Sequence, residues 1–292
     1  AIETLPPFLT NGLRFMAAGA VMYAWAHARG ESRPTAREWG GGAVTGFLLF
    51  LCGTGAVIFA ERVIPSGVAA LVVATEPVSF VLIEAVRRRR MPKGAVFAGL
   101  ALGIVGLAIL VGPGSLLGGE RFDLASCAVL TFGTFCWAAG SLFSRGSRLP
   151  ASPVMATAVT LLCGGGWLAS LGLLSGELGR FDPAAVSAKS VLAVLYLFVF
   201  GSIVGFSAYL WLLRVTSASR VSTYAYVNPI VAVFLGWALA DEVLSARVFL
   251  AAAVIIGAVV LIIRHGGEEG DEALPEEDRD LGCAKASETL HA

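Results

Sequence analysis

Charge is scarce in this chain. Only 14% of its 292 residues are Asp, Glu, Lys or Arg, while 57% are hydrophobic. A soluble domain carries about 25% charged residues, so this chain lacks the polar material to cover a water-facing surface, and its solvent is a lipid bilayer. The net charge is zero, which excludes any general attraction to nucleic acid. The three histidines, His27, His265 and His291, stand at helix ends or in the tail. With no HExxH and no Cys/His cluster, no metal site and no cofactor are expected. Four of the five cysteines, Cys52, Cys127, Cys136 and Cys163, lie in apolar runs without paired spacing and read as small packing residues; the fifth, Cys283, is too far from the C-terminus for a prenylation box. No Walker A lysine pattern is present, which removes ATP hydrolysis as an energy source. Gly112-Pro113-Gly114 follows no strand and does not continue as GxGxxG, which removes a dinucleotide site.

What the chain does have is a series of apolar runs of about 20 residues, the length that crosses the hydrocarbon core. They are Pro7–Ala26, Gly40–Ala60, Ser66–Val86, Gly94–Val111, Leu124–Ser144, Pro153–Leu174, Ser190–Leu213, Val221–Ala240 and Ser245–Ile263. The fold class is therefore an all-α membrane protein with nine spans. Alternate connecting loops hold Arg29, Arg33 and Arg37, then Arg87–Arg90 and Lys93, then Arg145 and Arg148, Arg214 and Arg220, and Arg264. The excess of positive charge places these loops, and the C-terminus, on the cytoplasmic side. The segment after Arg264 is acidic and polar, the composition of a disordered tail.

An internal repeat organises the spans. A shift of 152 positions lays Arg214 on Arg62, Asn228 on Glu76, Pro229 on Pro77 and Phe249 on Phe97. The matched spans are five apart, an odd number, so the two halves insert in opposite orientations. Inverted repeats of this kind mark transporters with a midplane site between the halves. The halves are residues 1–118 and 119–264, followed by the tail at 265–292. The second half has five spans and the first has four, which predicts one further helix ahead of Ala1.

Glu76 lies inside the third span, where a carboxylate costs about 2.5–3.5 kcal/mol at the bilayer centre. Pro77 follows it and removes a backbone donor, and Pro229 does the same in the eighth span. Both are expected helix breaks facing each other near the middle. Arg14, about two turns inside the first span, is a candidate for a substrate anion or for pairing with Glu76. The sequence leaves two roles open for Glu76, a partner of Arg14 or a desolvated group that takes up and releases protons. Tyr224 and Asn228 share a helix face and are placed opposite Glu76. Trp137 and Tyr209, with Trp211 and Tyr226, are candidates for an aromatic cavity wall. The expected substrate-binding set is Arg14, Glu76, Trp137, Tyr209, Tyr224 and Asn228. Gly99-xxx-Gly103 and Gly201-xxx-Gly205 are expected where helix backbones meet, and the Gly94–Val111 and Ser245–Ile263 spans are expected to scaffold.

Pro65-Ser66-Gly67-Val68-Ala69-Ala70 followed by Ala74-Thr75-Glu76-Pro77 resembles the first EamA domain of the drug/metabolite transporter superfamily. Tyr224-Ala225-Tyr226-Val227-Asn228-Pro229-Ile230-Val231-Ala232-Val233 with Asp241-Glu242 resembles the second, and Pro6-Pro7-Phe8, Arg14-Phe15 and Cys136-Trp137-Ala138 are similar to the same family. The resemblance covers residues 1 to about 264. It implies two five-helix halves, ten helices in all, an inner-membrane location and export of amino acids or other small metabolites by a non-enzymatic secondary transporter. Drug-like or nucleoside substrates are the alternative within the family. An intramembrane lipid-modifying enzyme would need paired acids or histidines at a membrane face, and the sequence holds only isolated ones; a channel would need a charged ring. The implied partners are a small-molecule substrate and the lipid bilayer, with the chain acting as a monomer or a homodimer.

Overall fold

The computed structural model describes residues 5–64, 69, 72–89, 94–111, 124–228, 230–231 and 246–266. Among the described residues there is no strand, and the α-helices follow one another with short 3-10 turns at Leu178–Arg180 and Pro183–Ala185. The helices are α1 (Pro7–Ala28), α2 (Ala36–Ala60), α3 (Glu76–Arg88), α4 (Gly94–Val111), α5 (Leu124–Gly146), α6 (Pro153–Leu174), α7 (Ala188–Val215), α8 (Ala218–Ser222) and α9 (Ala246–Gly266). Residues 224–228 continue helically after α8. By length and composition α2, α6, α7 and residues 125–146 of α5 are able to cross a membrane, and Gly94–Leu110 and Phe249–Ile262 are shorter apolar helices. Pro229, Asp241, Glu242 and nearly all of the acidic tail lie outside the described residues.

Local chemistry sets the helix ends. Thr35 caps α2 by accepting from the Glu38 backbone N–H, and Glu38 returns a bond to the Thr35 N–H, a capping box. Ser152 accepts from the Met155 N–H at the start of α6. At the C-terminus of α3 the basic run ends the helix through Arg89, whose φ of 52° is left-handed.

Two pairs of helices form the frame. Helices α1 and α6 run antiparallel at backbone contact. A Cβ added at Gly12 would lie 2.5 Å from the Ala169 nitrogen, and one at Gly172 would lie 2.7 Å from the Leu9 nitrogen. Small residues permit this approach in lipid, where no hydrophobic force draws helices together. Helices α4 and α9 pack in the same manner, with Gly99 against Ile262 and Gly106 against Ile255. In the order of spans, α6 and α9 are the repeat mates of α1 and α4, so each frame pair is a helix packed antiparallel on its own mate, as a two-fold axis in the membrane plane requires. The Gly201-xxx-Gly205 motif does not follow the expectation. Among the described residues, a Cβ on Gly201 would find the Arg14 guanidinium at 3.4 Å rather than a neighbouring backbone.

Four spans differ from the uninterrupted helices that the apolar runs suggest, one of them the eighth, which turns at Thr223 between α8 and residues 224–228. Helix α2 is π-helical over Phe47–Thr54, and α7 is π-helical over Leu197–Gly205. Moved back by the repeat spacing, the second segment falls on residues 45–53, so the two interruptions are repeat mates. Each has a hydroxyl bonded to the carbonyl five residues back: Thr54 donates to Leu49 at 3.4 Å and Ser202 to Leu197 at 3.2 Å. The third change is at Glu76. The chain turns at Ala74–Thr75, where the Thr75 hydroxyl donates to the Val72 carbonyl at 2.7 Å, and a new helix starts at Glu76. Pro77 sits in its first turn, where a missing N–H costs nothing.

Candidate functional site

The N-terminus of α3 places Glu76 inside the protein, with 3% of the residue exposed. It stands in the first turn of that helix, the end that favours negative charge. The Tyr224 hydroxyl donates to both carboxylate oxygens, at 3.1 Å and 2.9 Å. Glu76 and Tyr224 belong to matched spans of opposite repeats, so this contact joins the halves. No Lys or Arg lies within ion-pair distance of Glu76 among the described residues; Arg62 pairs instead with Glu177.

Behind Tyr224 stands an aromatic wall. Tyr209 meets it edge to face, ring centroids 5.5 Å apart. The Trp137 indole N–H donates to the Tyr209 hydroxyl at 2.9 Å, the Tyr209 and Ser141 hydroxyls lie 2.6 Å apart, and Ser141 donates to the Trp137 carbonyl at 2.7 Å. One proton per group fixes the direction of this ring: Trp137 donates to Tyr209, Tyr209 to Ser141, and Ser141 back to the Trp137 backbone. The Tyr209 proton is used there, which leaves Tyr224 as the phenol serving Glu76. Ring contacts continue from Trp137 to Phe50 at 6.4 Å and from Phe50 to Phe15 at 4.4 Å.

Arg14 stands at the far end of this line, 4.2 Å from the Phe15 ring centroid. It does not pair with Glu76. It donates to the Leu197 carbonyl at 2.9 Å, the Ser202 hydroxyl at 3.0 Å and the Asn11 side-chain oxygen at 2.9 Å. The π-segment of α7 holds both Leu197 and Ser202, and neutral acceptors of this kind cannot be read from a charge pattern. Asn228 is exposed, and it is Tyr224, one turn earlier, that reaches the carboxylate. Trp211 is 50% exposed and lies off the wall. Tyr226 is fully buried elsewhere: its ring fills the space left by Gly103, and its hydroxyl donates to the Leu100 carbonyl at 3.4 Å.

Sequence reasoning missed two residues. Ser141 closes the hydrogen-bonded ring, and its position one turn after Trp137, on the same face, was the available signal. Glu177 is a buried acid just beyond α6 that accepts from Arg62 at 2.8 Å and from the Leu9 N–H at 2.9 Å. Nothing in its local sequence separates it from an ordinary loop acid.

Helices packed on their own repeat mates, two matched π-segments and a polar contact bridging the halves define a multi-pass membrane transporter. The EamA-like transporter family model matches residues 1–112 and 125–264. This chain belongs to the EamA-like transporter family, within the drug/metabolite transporter superfamily. It is 37% identical over 265 residues to the inner membrane transporter YedA of Escherichia coli, a match that covers 89% of this chain and 83% of YedA. It is 25% identical over 264 residues to a "Probable amino-acid metabolite efflux pump" of Escherichia coli, covering 87% of this chain and 85% of the pump. A solved crystal structure, 23% identical, superposes with a TM-score of 0.69 over 89% of this chain and 88% of its own, which establishes likeness of fold.

Proposed function

We propose that this protein exports small amine-bearing metabolites, amino acids and their relatives, across the inner membrane by alternating access. The observation that carries the reading is the buried Glu76 carboxylate, bonded by Tyr224 of the opposite repeat and facing no basic side chain among the described residues. A buried carboxylate without a counter-charge is costly. It is stabilised when it holds a proton or the ammonium group of a substrate, so one carboxylate serves the two in turn. The rings of Tyr209, Tyr224 and Trp137 suit a cation as well, through the attraction of their faces for positive charge. The likeness to the amino-acid metabolite efflux pump supports the substrate class, and the basic loops support a cytoplasmic C-terminus.

The test is metabolite profiling of the medium of cells that overexpress the protein. Amines and amino acids are expected to accumulate outside with wild type and not with Glu76→Ala at equal membrane abundance. Export confined to uncharged or purely anionic compounds contradicts the reading.

A further inference from the structure

The two arginines matched by the repeat, Arg62 and Arg214, stand at the ends of the two π-interrupted helices, α2 and α7, and both reach the ends of the same helix, α6. Arg62 bonds Glu177 beyond the C-terminus of α6 at 2.8 Å. Arg214 donates to the carbonyls of Ala151 and Pro150, ahead of its N-terminus, at 2.7 Å and 3.0 Å. We infer that these are two latches, one at each membrane face, that fasten the ends of two moving arms to the α1–α6 frame. The outer latch is ionic and the inner one is neutral.

Three features support this assignment. The frame is close-packed, because glycines bring its two backbones into contact, and the inner half of α2 meets α6 in the same way at Gly46 and Gly164, which leaves the part of α2 beyond its π-segment as the moving piece. Each arm has a π-segment partway along, where the regular hydrogen-bond ladder is interrupted and a helix bends with least loss. The third is the chemistry of Glu177. It accepts from the Phe8 N–H at 3.4 Å and the Leu9 N–H at 2.9 Å, so it caps α1 with or without Arg62. Arg62 itself is 44% exposed, and its guanidinium also lies 5.0 Å from the Phe8 ring centroid. When the arm swings out, Arg62 passes into water and the buried carboxylate keeps its two backbone donors. The outer latch is therefore releasable without an orphaned buried charge. The loop charges assign this end to the extracytoplasmic face. Opening the Arg62 latch exposes the outer half of α2, and opening the Arg214 latch does the same for α7 at the cytoplasmic face.

This inference rests on the alternating-access reading, but its test needs no substrate, so a wrong substrate class leaves the outcome unchanged. A cysteine placed at Ile58, buried at 4% in the cluster that also holds Phe8 and Leu168, in a chain otherwise free of cysteine, reports outward opening of α2. Its labelling by a membrane-impermeant maleimide added outside intact cells is the readout. Arg62→Gln is expected to raise the labelling rate about two- to fivefold, the range for loss of a half-exposed ion pair. Arg62→Lys is expected to restore it towards wild type, and Arg214→Gln is expected not to raise it. Should Arg62→Gln fail to accumulate, the Ile58→Cys chain with Arg62 intact is measured at low and high salt, where screening is expected to speed labelling. Unchanged labelling in Arg62→Gln, no restoration by Lys, or no response to salt in that second measurement overturns the latch.

Discussion

Helices α2 and α7 are repeat mates with the same interruption, yet their surroundings differ. Half of the apolar window of α2 is buried, against 11% for α7. Helix α5 lies along α2, where a Cβ on Gly140 would meet Leu48 at 2.8 Å, while α7 presents Val191, Leu192, Leu195, Phe200 and Val204 outward. The π-segment persists in both settings. Each carries a hydroxyl bonded to the carbonyl five residues back, Thr54 in one and Ser202 in the other, at positions that the repeat does not match. The comparison separates what the repeat keeps, the backbone geometry, from what it lets vary, the partner at each position. Arg62 meets a carboxylate where Arg214 meets carbonyls, and Glu76 stands where its mate is Asn228.

The largest effect is expected from the frame that both arms share. Gly12→Leu or Gly172→Leu forces a side chain into backbone contact and costs about 3 kcal/mol or more. Size-exclusion profiles of the detergent-solubilised variants are expected to show loss of the monodisperse peak. Gly201→Ala, in the motif on the exposed arm where the added Cβ finds 3.4 Å of room, is expected to keep that peak.

Next comes Arg14→Gln, which removes an asymmetry between the π-segments, since Arg14 binds α7 and, among the described residues, no arginine binds α2 in this way. It removes charge-assisted bonds to Leu197 and Ser202 at about 1.5–3 kcal/mol each. Hydrogen exchange is expected to rise across Leu197–Gly205 and to stay as in wild type across Phe47–Thr54.

Tyr224→Phe has a smaller expected effect. It removes the donor on Glu76 and leaves the ring contact with Tyr209, so transport is expected to slow about tenfold, near the lower end of the value of a hydrogen bond to a charged group. Flux in reconstituted vesicles checks this against Tyr209→Phe, whose proton is used within the Trp137–Ser141 ring. The smallest effect is expected from Pro77→Ala. A proline in the first helical turn replaces an N–H that has no helical partner, so thermal stability is expected to remain within about 0.5 kcal/mol of wild type.

Much of this fold is written in the apolar runs, because a membrane span has to be long and uncharged and so leaves a plain signal. The repeat offset also set the right spans against each other at Glu76. It pointed to Asn228 as the facing residue, however, and the longer Tyr224 makes the contact. A repeat aligns backbones, and side-chain length decides which neighbour reaches. The π-segments left no trace in the sequence reading, since their apolar residues read as ordinary helix. The partners of Arg14 followed from them, because a backbone carbonyl gives no sign of acting as an acceptor. Glu177 lies 115 positions from Arg62, and only the folded frame brings the two together.

The central claim is that Glu76 is a working carboxylate between the two halves. The most direct measurement is Glu76→Gln in proteoliposomes, followed by both substrate exchange at equal concentrations and accumulation driven by a pH gradient. Glutamine keeps the bond to Tyr224 and cannot carry a proton. The account expects exchange to persist, though weakened, and gradient-driven accumulation to be lost. Accumulation equal to wild type would show that Glu76 is only a packing residue and would contradict the account.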